Sequence, residues 1–230
     1  METNGEVAGL LLAAGGGRRL GGRPKALLPY RGRPLVEHAV EMLRAGGCGP
    51  VHVVLGAAAD EVRGQADLSG CVIVTNPRWE EGMGTSLRAG LASLAGHEQD
   101  AETPDTRRAG SAAGAGHPGA AVICLVDQPG VGAEAVARVL AAARAGEDLP
   151  SALVSAVYGA QRGHPVLFGS SRWAAVAGSA GGDRGARRYL REHAEQTLLV
   201  ECGDVADPAD IDTPADLRIL DETARGATER

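Results

Sequence analysis

The stretch VAGLLLAAGGGRRLGGRPKALLPYRGRP, residues 7–34, joins an apolar run to a glycine-rich loop that carries basic side chains. Glycines let backbone N–H groups approach phosphate oxygens closely, because no Cβ stands in the way. Arg19 and Lys25 add positive charge that can neutralise a triphosphate. These residue types in this order indicate an anion-binding loop, and the alternative is an ordinary turn with a solvated basic tip.

Two well-known phosphate-binding motifs do not match this loop. The dinucleotide-binding fingerprint G-x-G-x-x-G, started at Gly15, needs a third glycine where Leu20 stands. The P-loop needs a glycine before its lysine and a serine or threonine after it, whereas Lys25 lies between proline and alanine. The spacing therefore fits neither of these two classes of nucleotide-binding protein.

Carboxylates that could hold a metal ion occur in two later segments. Asp127 directly follows the apolar stretch VICLV, and a carboxylate at the end of a buried strand can bind Mg²⁺ on a triphosphate. Its alternative role is to cap the helix that is predicted after Pro129. Asp210 and Asp212 lie in ADIDTPADL, which either supplies a second metal ligand or starts a helix.

Hydrophobic periodicity predicts alternating strands and helices along the chain. Strands are predicted at 7–14, 51–55, 72–75, 121–126, 152–157, 165–168 and 197–201. Helices are predicted at 35–45, 58–65, 84–94, 131–145, 183–193 and 213–223. This alternation predicts a three-layer α/β fold around a mostly parallel sheet, whose ligands bind beyond the carboxyl ends of the strands. The glycine loop, Asp127 and the segment 76–86 all follow strands, so one edge of the sheet could gather them.

Residues 1–222 are predicted to form one α/β domain, with 223–230 as a tail. The segment from 96 to 119 contains no larger aliphatic or aromatic residue, so we expect a disordered insertion there. Aromatic residues make up 3% of the chain, which means that the core of the domain must be aliphatic.

The net charge of −6 argues against a nucleic-acid partner, because nucleic acids usually require a basic surface. The four cysteines lie far apart and form no C-x-x-C pair, so we expect free, buried thiols and a cytoplasmic location. The N-terminal apolar run is too short to span a membrane, and no membrane partner is expected.

The glycine loop and its flanks, LLAAGGGRRLGGRPKALLP, resemble the signature L-A-A-G-x-[SG]-x-R-M-G-x-x-K of the MobA-like nucleotidyltransferases. Arg19 stands at the signature arginine and Lys25 at its final lysine, although the interval from Gly21 to Lys25 is one residue longer than in the signature. The resemblance implies that this segment binds the nucleotide through Leu12, Ala13, Ala14, Gly15, Gly17, Arg19 and Lys25. It also implies catalytic roles for Arg19, Lys25 and Asp127.

Other segments resemble further motifs of the same family. LVDQPGV resembles the metal motif L-x-D-x-P, which implies that Asp127 binds Mg²⁺, and DIDTPADL implies Asp212 as a second metal ligand. NPRWEEGMGTSL resembles N-x-x-x-x-x-G-M-x-x-S-L, which implies base and ribose contacts from Asn76, Gly82 and Ser86. Ser86 could instead serve only as a helix cap.

Two segments resemble one branch of the family, the molybdenum cofactor cytidylyltransferases. The sequence GHP at 163–165 resembles that branch's G-H-P, and GDRGAR resembles its G-D-x-G-A-R. Together they imply an acceptor-binding site that contains His164, Asp183 and Arg187. The sequence AAG at 13–15 is similar to that of members that use pyrimidine triphosphates, which favours CTP over GTP.

The resemblance thus implies a Rossmann-like, GT-A-like nucleotidyltransferase fold and Mg²⁺-dependent transfer of CMP from CTP to molybdenum-bound molybdopterin. The products would be molybdopterin cytosine dinucleotide and pyrophosphate, with a molybdoenzyme as a recipient partner. Two alternatives stay open: transfer to another phosphorylated acceptor, such as a sugar phosphate, and nucleotide or cofactor binding by a chaperone without catalysis.

Overall fold

The structure, a computed structural model, describes residues 6–97 and 117–226. Most of the insertion expected at 96–119 lies outside the described residues, as does the end of the tail expected at 223–230. None of the helices within the described ranges is long and apolar enough to cross a membrane.

The described residues form nine strands: β1 (Val7–Ala13), β2 (Pro29–Tyr30), β3 (Arg33–Pro34), β4 (Val51–Leu55), β5 (Cys71–Thr75), β6 (Ala120–Leu125), β7 (Leu153–Tyr158), β8 (Gln161–Gly169) and β9 (Leu198–Glu201). Seven of them form one sheet in the order β5-β4-β1-β6-β8-β7-β9, and β2 pairs with β3 in a separate hairpin. Neighbours in the large sheet run parallel except at β8, which is antiparallel to both β6 and β7. The predicted mostly parallel, mixed sheet is confirmed.

Seven α-helices in the same ranges connect the strands: α1 (Leu35–Ala45), α2 (Ala59–Gln65), α3 (Met83–Leu94), α4 (Ala133–Arg144), α5 (Trp173–Ser179), α6 (Arg187–Glu192) and α7 (Arg218–Gly226). Helices α1 and α4 contribute to the core on one face of the sheet, and α3 and α5 contribute to the core on the other. Because strand side chains alternate between faces, Leu11 of β1 packs into the first core, and Leu10 and Leu12 pack into the second. The three predicted layers follow from this arrangement.

The structure differs from the sequence-based prediction in a few elements. Helix α5 and the β2–β3 hairpin were not predicted. The helix predicted at 183–193 is divided into a 3₁₀ turn, Gly182–Arg184, and α6, because Gly185 has a φ of +50° that ends helical geometry. The helix predicted at 213–223 starts as a 3₁₀ turn at Pro214–Leu217, and Thr213 forms a capping box with Asp216.

All four cysteines are free, as expected. Cys48, Cys124 and Cys202 are buried, and Cys71 is half-buried. Burial raises the pKa of the Cys48 thiol to about 12, so this side chain is an unreactive part of the core.

Candidate active site

The glycine loop follows β1 and is folded back on itself. Gly17 has a φ of +57°, and its carbonyl accepts hydrogen bonds from the N–H groups of Leu20 (2.8 Å) and Gly22 (3.1 Å). A Cβ at Gly17 would lie 1.9 Å from the carbonyl oxygen of Arg23, whereas a Cβ at Gly15 would have no atom within 4 Å. Only glycine therefore fits at position 17, and the loop depends on it for its shape.

Lys25, Asp127 and Asp212, which are distant in the sequence, meet at the carboxyl edge of the sheet. The Nζ of Lys25 lies 2.6 Å from Oδ2 of Asp127 and 2.7 Å from Oδ1 of Asp212. The side chains of Lys25 and Asp127 are only 13% and 19% exposed, whereas that of Asp212 is 48% exposed. Arg19 lies at the solvent side of this group, with Nη1 3.4 Å from Oδ2 of Asp212. Both predicted metal ligands and both predicted basic residues are therefore brought together.

Backbone hydrogen bonds hold the two carboxylates in place. Asp127 comes two residues after β6, and its carbonyl accepts from the N–H of Ile211 at 2.9 Å. Asp216 fixes the second segment, because its Oδ2 accepts from the N–H groups of Asp212 (3.2 Å) and Thr213 (2.7 Å). The alternative role of Asp127 as a helix cap is wrong, because the residue at the N-cap of α4 is Gly132.

The negative charges of Asp127 and Asp212 stabilise the charged form of Lys25. Burial of the ammonium would lower the pKa of Lys25, but the charges and hydrogen bonds of Asp127 and Asp212 outweigh burial and raise the pKa above its ordinary value. Lys25 therefore carries its positive charge at neutral pH. Burial raises the pKa of Asp210 above its ordinary value, and the negative charge of Asp127 raises it further.

The residues present fit a magnesium ion. Carboxylate oxygens of Asp127 and Asp212, from two separate segments, already share one cation, the ammonium of Lys25, at 2.6 and 2.7 Å. No group of three or more His, Cys, Asp or Glu side chains that could hold a metal is found in the described part of the chain. This set suits Mg²⁺, which usually takes one or two carboxylates and completes its shell with phosphates and water.

The segment that follows β5 is held together by its own side chains. Asn76 is 4% exposed, and its Nδ2 donates to the hydroxyls of Thr85 (2.9 Å) and Ser86 (3.0 Å). The Asn76 Oδ1 accepts from the N–H of Arg78 at 3.0 Å. Ser86 lies inside α3, whose N-cap is Gly82, so the interpretation of Ser86 as a helix cap is wrong. Asn76 and Ser86 thus bond to each other and shape the segment between them.

Trp79 connects this segment to the glycine loop and was missed in the sequence analysis. A Cβ at Gly16 would lie 3.0 Å from the indole ring, and a Cβ at Gly56 would lie 2.5 Å from the Trp79 Cβ. The Arg18 guanidinium lies 5.8 Å from the centre of the same ring, at the outer limit for a cation–π contact. The signal in the sequence was its residue type. Tryptophan is rare in this chain, and Trp79 lies within NPRWEEGMGTSL, a segment that resembles a family motif.

A cleft of about 640 Å³ extends away from the carboxylates. It is lined by Gln128 and Asp210, next to the predicted metal ligands, and it reaches β8 and α6. Apolar side chains of the sheet and of α3 form part of its wall, and four arginines also line it, namely Arg162, Arg184, Arg187 and Arg191. The cleft is thus basic in a protein whose net charge is −6. A larger cleft of about 840 Å³, between α1 and the segment 203–207, contains none of the predicted site residues.

Two of the three predicted acceptor residues line the smaller cleft. These are His164 and Arg187, whereas Asp183 lies beside it, where its Oδ1 would be 2.7 Å from a Cβ at Gly82. Burial lowers the pKa of His164 to about 4, and the positive charge of Arg187 adds to this effect. The His164 ring is therefore neutral at neutral pH, and the positive charge of the cleft comes from its arginines.

A Rossmann-like mixed sheet with a glycine-rich loop after its first strand and paired carboxylates at its carboxyl edge defines a nucleotidyltransferase. The chain matches the MobA-like NTP transferase domain over residues 9–197 and belongs to that family. The family and the fold expected from the sequence are both confirmed, and the protein is a nucleotidyltransferase enzyme.

The similarity to other proteins extends over nearly the whole chain. The chain is 40% identical over 214 residues to nicotine blue oxidoreductase of Paenarthrobacter nicotinovorans, and the alignment covers 90% of this chain and 92% of that protein. The fold of this chain is similar to that of a homologue of Mycobacterium tuberculosis Rv0371c from Mycobacterium sp. strain JC1. The TM-score is 0.73 at 29% identity, and the alignment covers 96% of this chain and 98% of the other. The manganese complex of Rv0371c from Mycobacterium tuberculosis H37Rv has a TM-score of 0.68 and 25% identity, with 94% and 98% covered. One structural neighbour is thus a manganese complex.

Proposed function

We propose that this protein transfers CMP from CTP to a molybdopterin-type acceptor in a Mg²⁺-dependent reaction, in the cytoplasm, and passes the product to a molybdoenzyme. The observation that carries the proposal is the position of Lys25 between Asp127 and Asp212, directly beside a basic cleft. The triphosphate and the acceptor would then meet at the two carboxylates.

In the proposed reaction an oxygen of the acceptor phosphate attacks the α-phosphorus of CTP, the bond from that phosphorus to the bridging oxygen breaks, and pyrophosphate leaves. Asp127 and Asp212 would hold Mg²⁺, which would supply positive charge to the phosphates when bound. Lys25, Arg19 and the backbone N–H groups of the glycine loop stabilise the charge of the departing pyrophosphate. No general base is needed, because the attacking phosphate is already ionised.

The nucleoside would lie beside the carboxyl end of β1, at the entrance to the glycine loop. Leu12, Ala13 and Ala14 are each at most 7% exposed. The carbonyls of Leu12 and Ala14 already accept from the N–H groups of Val126 (3.2 Å) and Ala57 (3.1 Å), so these residues would shape the site rather than bond to the base. Asn76 and Ser86 would act by holding the segment that contains Gly82 in shape. Ala13 and Ala14 at the end of β1 and Gly82 before α3 are small, so they leave room for a pyrimidine and its hydrogen bonds.

We therefore expect CTP to be preferred to GTP. A base that cannot form the hydrogen bonds of the site leaves buried polar groups without partners, so kcat/KM should be at least about 10-fold lower for GTP. The measurement is initial-rate kinetics with each triphosphate at a fixed acceptor concentration. Equal kcat/KM values would contradict a pyrimidine-specific site.

The Lys25→Met variant should bind CTP more weakly and turn over more slowly, because it loses a charged contact to phosphate while keeping most of its volume. A charged hydrogen bond of this kind corresponds to a decrease in kcat/KM of about 30-fold. Lys25→Arg should not restore activity, since the planar guanidinium is too large for a position 2.6 and 2.7 Å from two carboxylates. CTP titration calorimetry and steady-state rates test this, and values within twofold of wild type for both would contradict the role of Lys25.

The acceptor would bind in the basic cleft. Arginine side chains suit anionic groups, the apolar wall suits a ring system, and the neutral His164 offers a hydrogen bond without charge. Arg187 would contact the acceptor directly, whereas Asp183 would contribute through the turn that it occupies.

Mass spectrometry of the products tests the proposed function as a whole. The protein is incubated with Mg²⁺, molybdopterin and each of the four ribonucleoside triphosphates, and then with sugar phosphates in place of molybdopterin. A cytosine dinucleotide together with pyrophosphate supports the proposal. A nucleotidylated sugar would instead identify another acceptor, and the absence of pyrophosphate with molybdopterin under single-turnover conditions would contradict the proposed transfer.

A second candidate function is the oxidation or reduction of nicotine blue. It is suggested by the relative named nicotine blue oxidoreductase, to which this chain is 40% identical over an alignment that covers 92% of that protein. Oxidation or reduction of nicotine blue would require an electron donor or acceptor such as a nicotinamide dinucleotide. The test follows the absorbance of nicotine blue with the protein and NADH or NADPH. A protein-dependent change that persists in the Asp127→Asn variant would show that a redox activity exists apart from the carboxylate site.

A further inference from the structure

The start of α3 and the turn before α6 pack against each other through backbone atoms. A Cβ at Gly82 would lie 2.5 Å from the carbonyl carbon of Gly182, and a Cβ at Gly84 would lie 2.6 Å from the nitrogen of Gly181. Glycines on both sides thus allow the proposed nucleotide-binding segment, 76–86, to touch the proposed acceptor-binding segment, 180–187, without intervening side chains.

One side chain adds a polar link between the same two segments. Arg88, on α3 two residues after Ser86, donates from Nη1 to the carbonyl oxygen of Ala180 at 2.7 Å. Ala180 is 3% exposed and directly precedes the glycine turn. Because α3 is anchored in the core, this bond fixes the start of the acceptor-binding segment relative to the sheet.

We propose that Arg88 is a positioning residue, which sets the place of the acceptor-binding segment relative to the nucleotide without touching either substrate. This inference rests on the proposed function of the two segments. If the acceptor-binding segment slid along this backbone contact, Arg184 and Arg187 would move with it, and the acceptor would be bound more weakly. The bond from Arg88 opposes such sliding, because its donor lies on a rigid helix and its acceptor belongs to the segment that leads to Arg184 and Arg187.

The kinetic test compares Arg88→Gln with wild type. Loss of a charged hydrogen bond should raise KM for the acceptor by about tenfold, while KM for CTP and kcat at saturating acceptor stay within about twofold. Arg88→Lys keeps the charge and should recover part of the loss. The control is Arg44→Gln, which removes a more exposed bond of similar length, from an arginine to the carbonyl of Ser69 (2.8 Å), together with a contact to Cys71 Sγ (3.3 Å), in another part of the fold. A purely structural role would lower stability in both variants without a selective change in the acceptor KM.

A second readout does not depend on the identity of the substrates. Hydrogen exchange measured by mass spectrometry should be faster in peptides covering residues 180–191 of Arg88→Gln, and unchanged in peptides covering β1. Faster exchange together with an unchanged acceptor KM would mean that Arg88 only stabilises this segment, which would overturn the positioning role. A wild-type protein that does not turn over molybdopterin at all would instead contradict the proposed acceptor. Unchanged exchange in residues 180–191 together with an unchanged acceptor KM would overturn the inference.

Discussion

The Asp127→Asn variant is expected to lose about 1,000-fold in kcat, while its melting temperature stays close to that of wild type. Metal-centred charge stabilisation contributes several kcal/mol in the transition state, and each 1.36 kcal/mol corresponds to a factor of ten in rate. Asparagine keeps the size of the side chain and one oxygen that can accept from Lys25. Lys25 also retains Asp212 at 2.7 Å, so it is not left as an unpaired, mostly buried charge.

The control for this variant is Asp204→Asn. Asp204 accepts from Arg138 at 2.6 Å, the same length as the bond from Lys25 to Asp127, but it lies in an exposed ion pair outside the site. Its activity should equal that of wild type. Pyrophosphate release at saturating Mg²⁺ and thermal unfolding are measured for both variants. If Asp127→Asn kept more than about a tenth of wild-type activity, the proposed metal-centred mechanism would be wrong.

The Gly17→Ala variant should bind CTP at least about 100-fold more weakly, because its loop cannot keep the shape that presents backbone N–H groups to phosphate. The new Cβ would lie 1.9 Å from the Arg23 carbonyl oxygen, and relief of this clash requires movement of the backbone. Titration calorimetry with CTP and Mg²⁺ gives the dissociation constant. A circular dichroism spectrum like that of wild type would show that the change is local.

Gly21→Ala separates the clash from backbone strain. Gly21 also has a positive φ, +73°, but a Cβ there would have no atom within 4 Å. Strain of a non-glycine residue in this region is about 1–2 kcal/mol, so the loss of CTP affinity should stay near tenfold. An equal loss in the two variants would mean that strain alone, and not the Arg23 carbonyl, explains the requirement for glycine at position 17.

Much of the fold followed from local patterns in the sequence. The apolar runs predicted the seven strands of the large sheet, and helical spacing predicted α1 and α3 to within one residue. Turn glycines and apolar periodicity depend on residues close in the chain, which is why they can be recognised without a structure. The division of the helix predicted at 183–193 could not be recognised in this way, because Gly185 takes its positive φ where it packs against Met83.

The residue types at the site were also visible in the sequence. Arg19, Lys25, Asp127 and Asp212 all lie in segments whose composition or motif indicated phosphate or metal binding. Asn76 and Ser86 were selected in the same way, but they bond to each other in a buried arrangement. A motif predicts that a residue matters to a site without specifying which atoms it contacts.

The sequence by itself therefore determined the succession of strands and helices along the chain, the glycine loop and the chemical types of the site residues. Only the tertiary structure decided that Lys25 contacts Asp127, 102 residues away, and Asp212, 187 residues away. It likewise decided that Trp79 lies against Gly16 and that Arg88 bonds to Ala180. The physical reason is that these contacts depend on strand order and on the packing of layers, which arise from the burial of the whole core rather than from neighbouring residues.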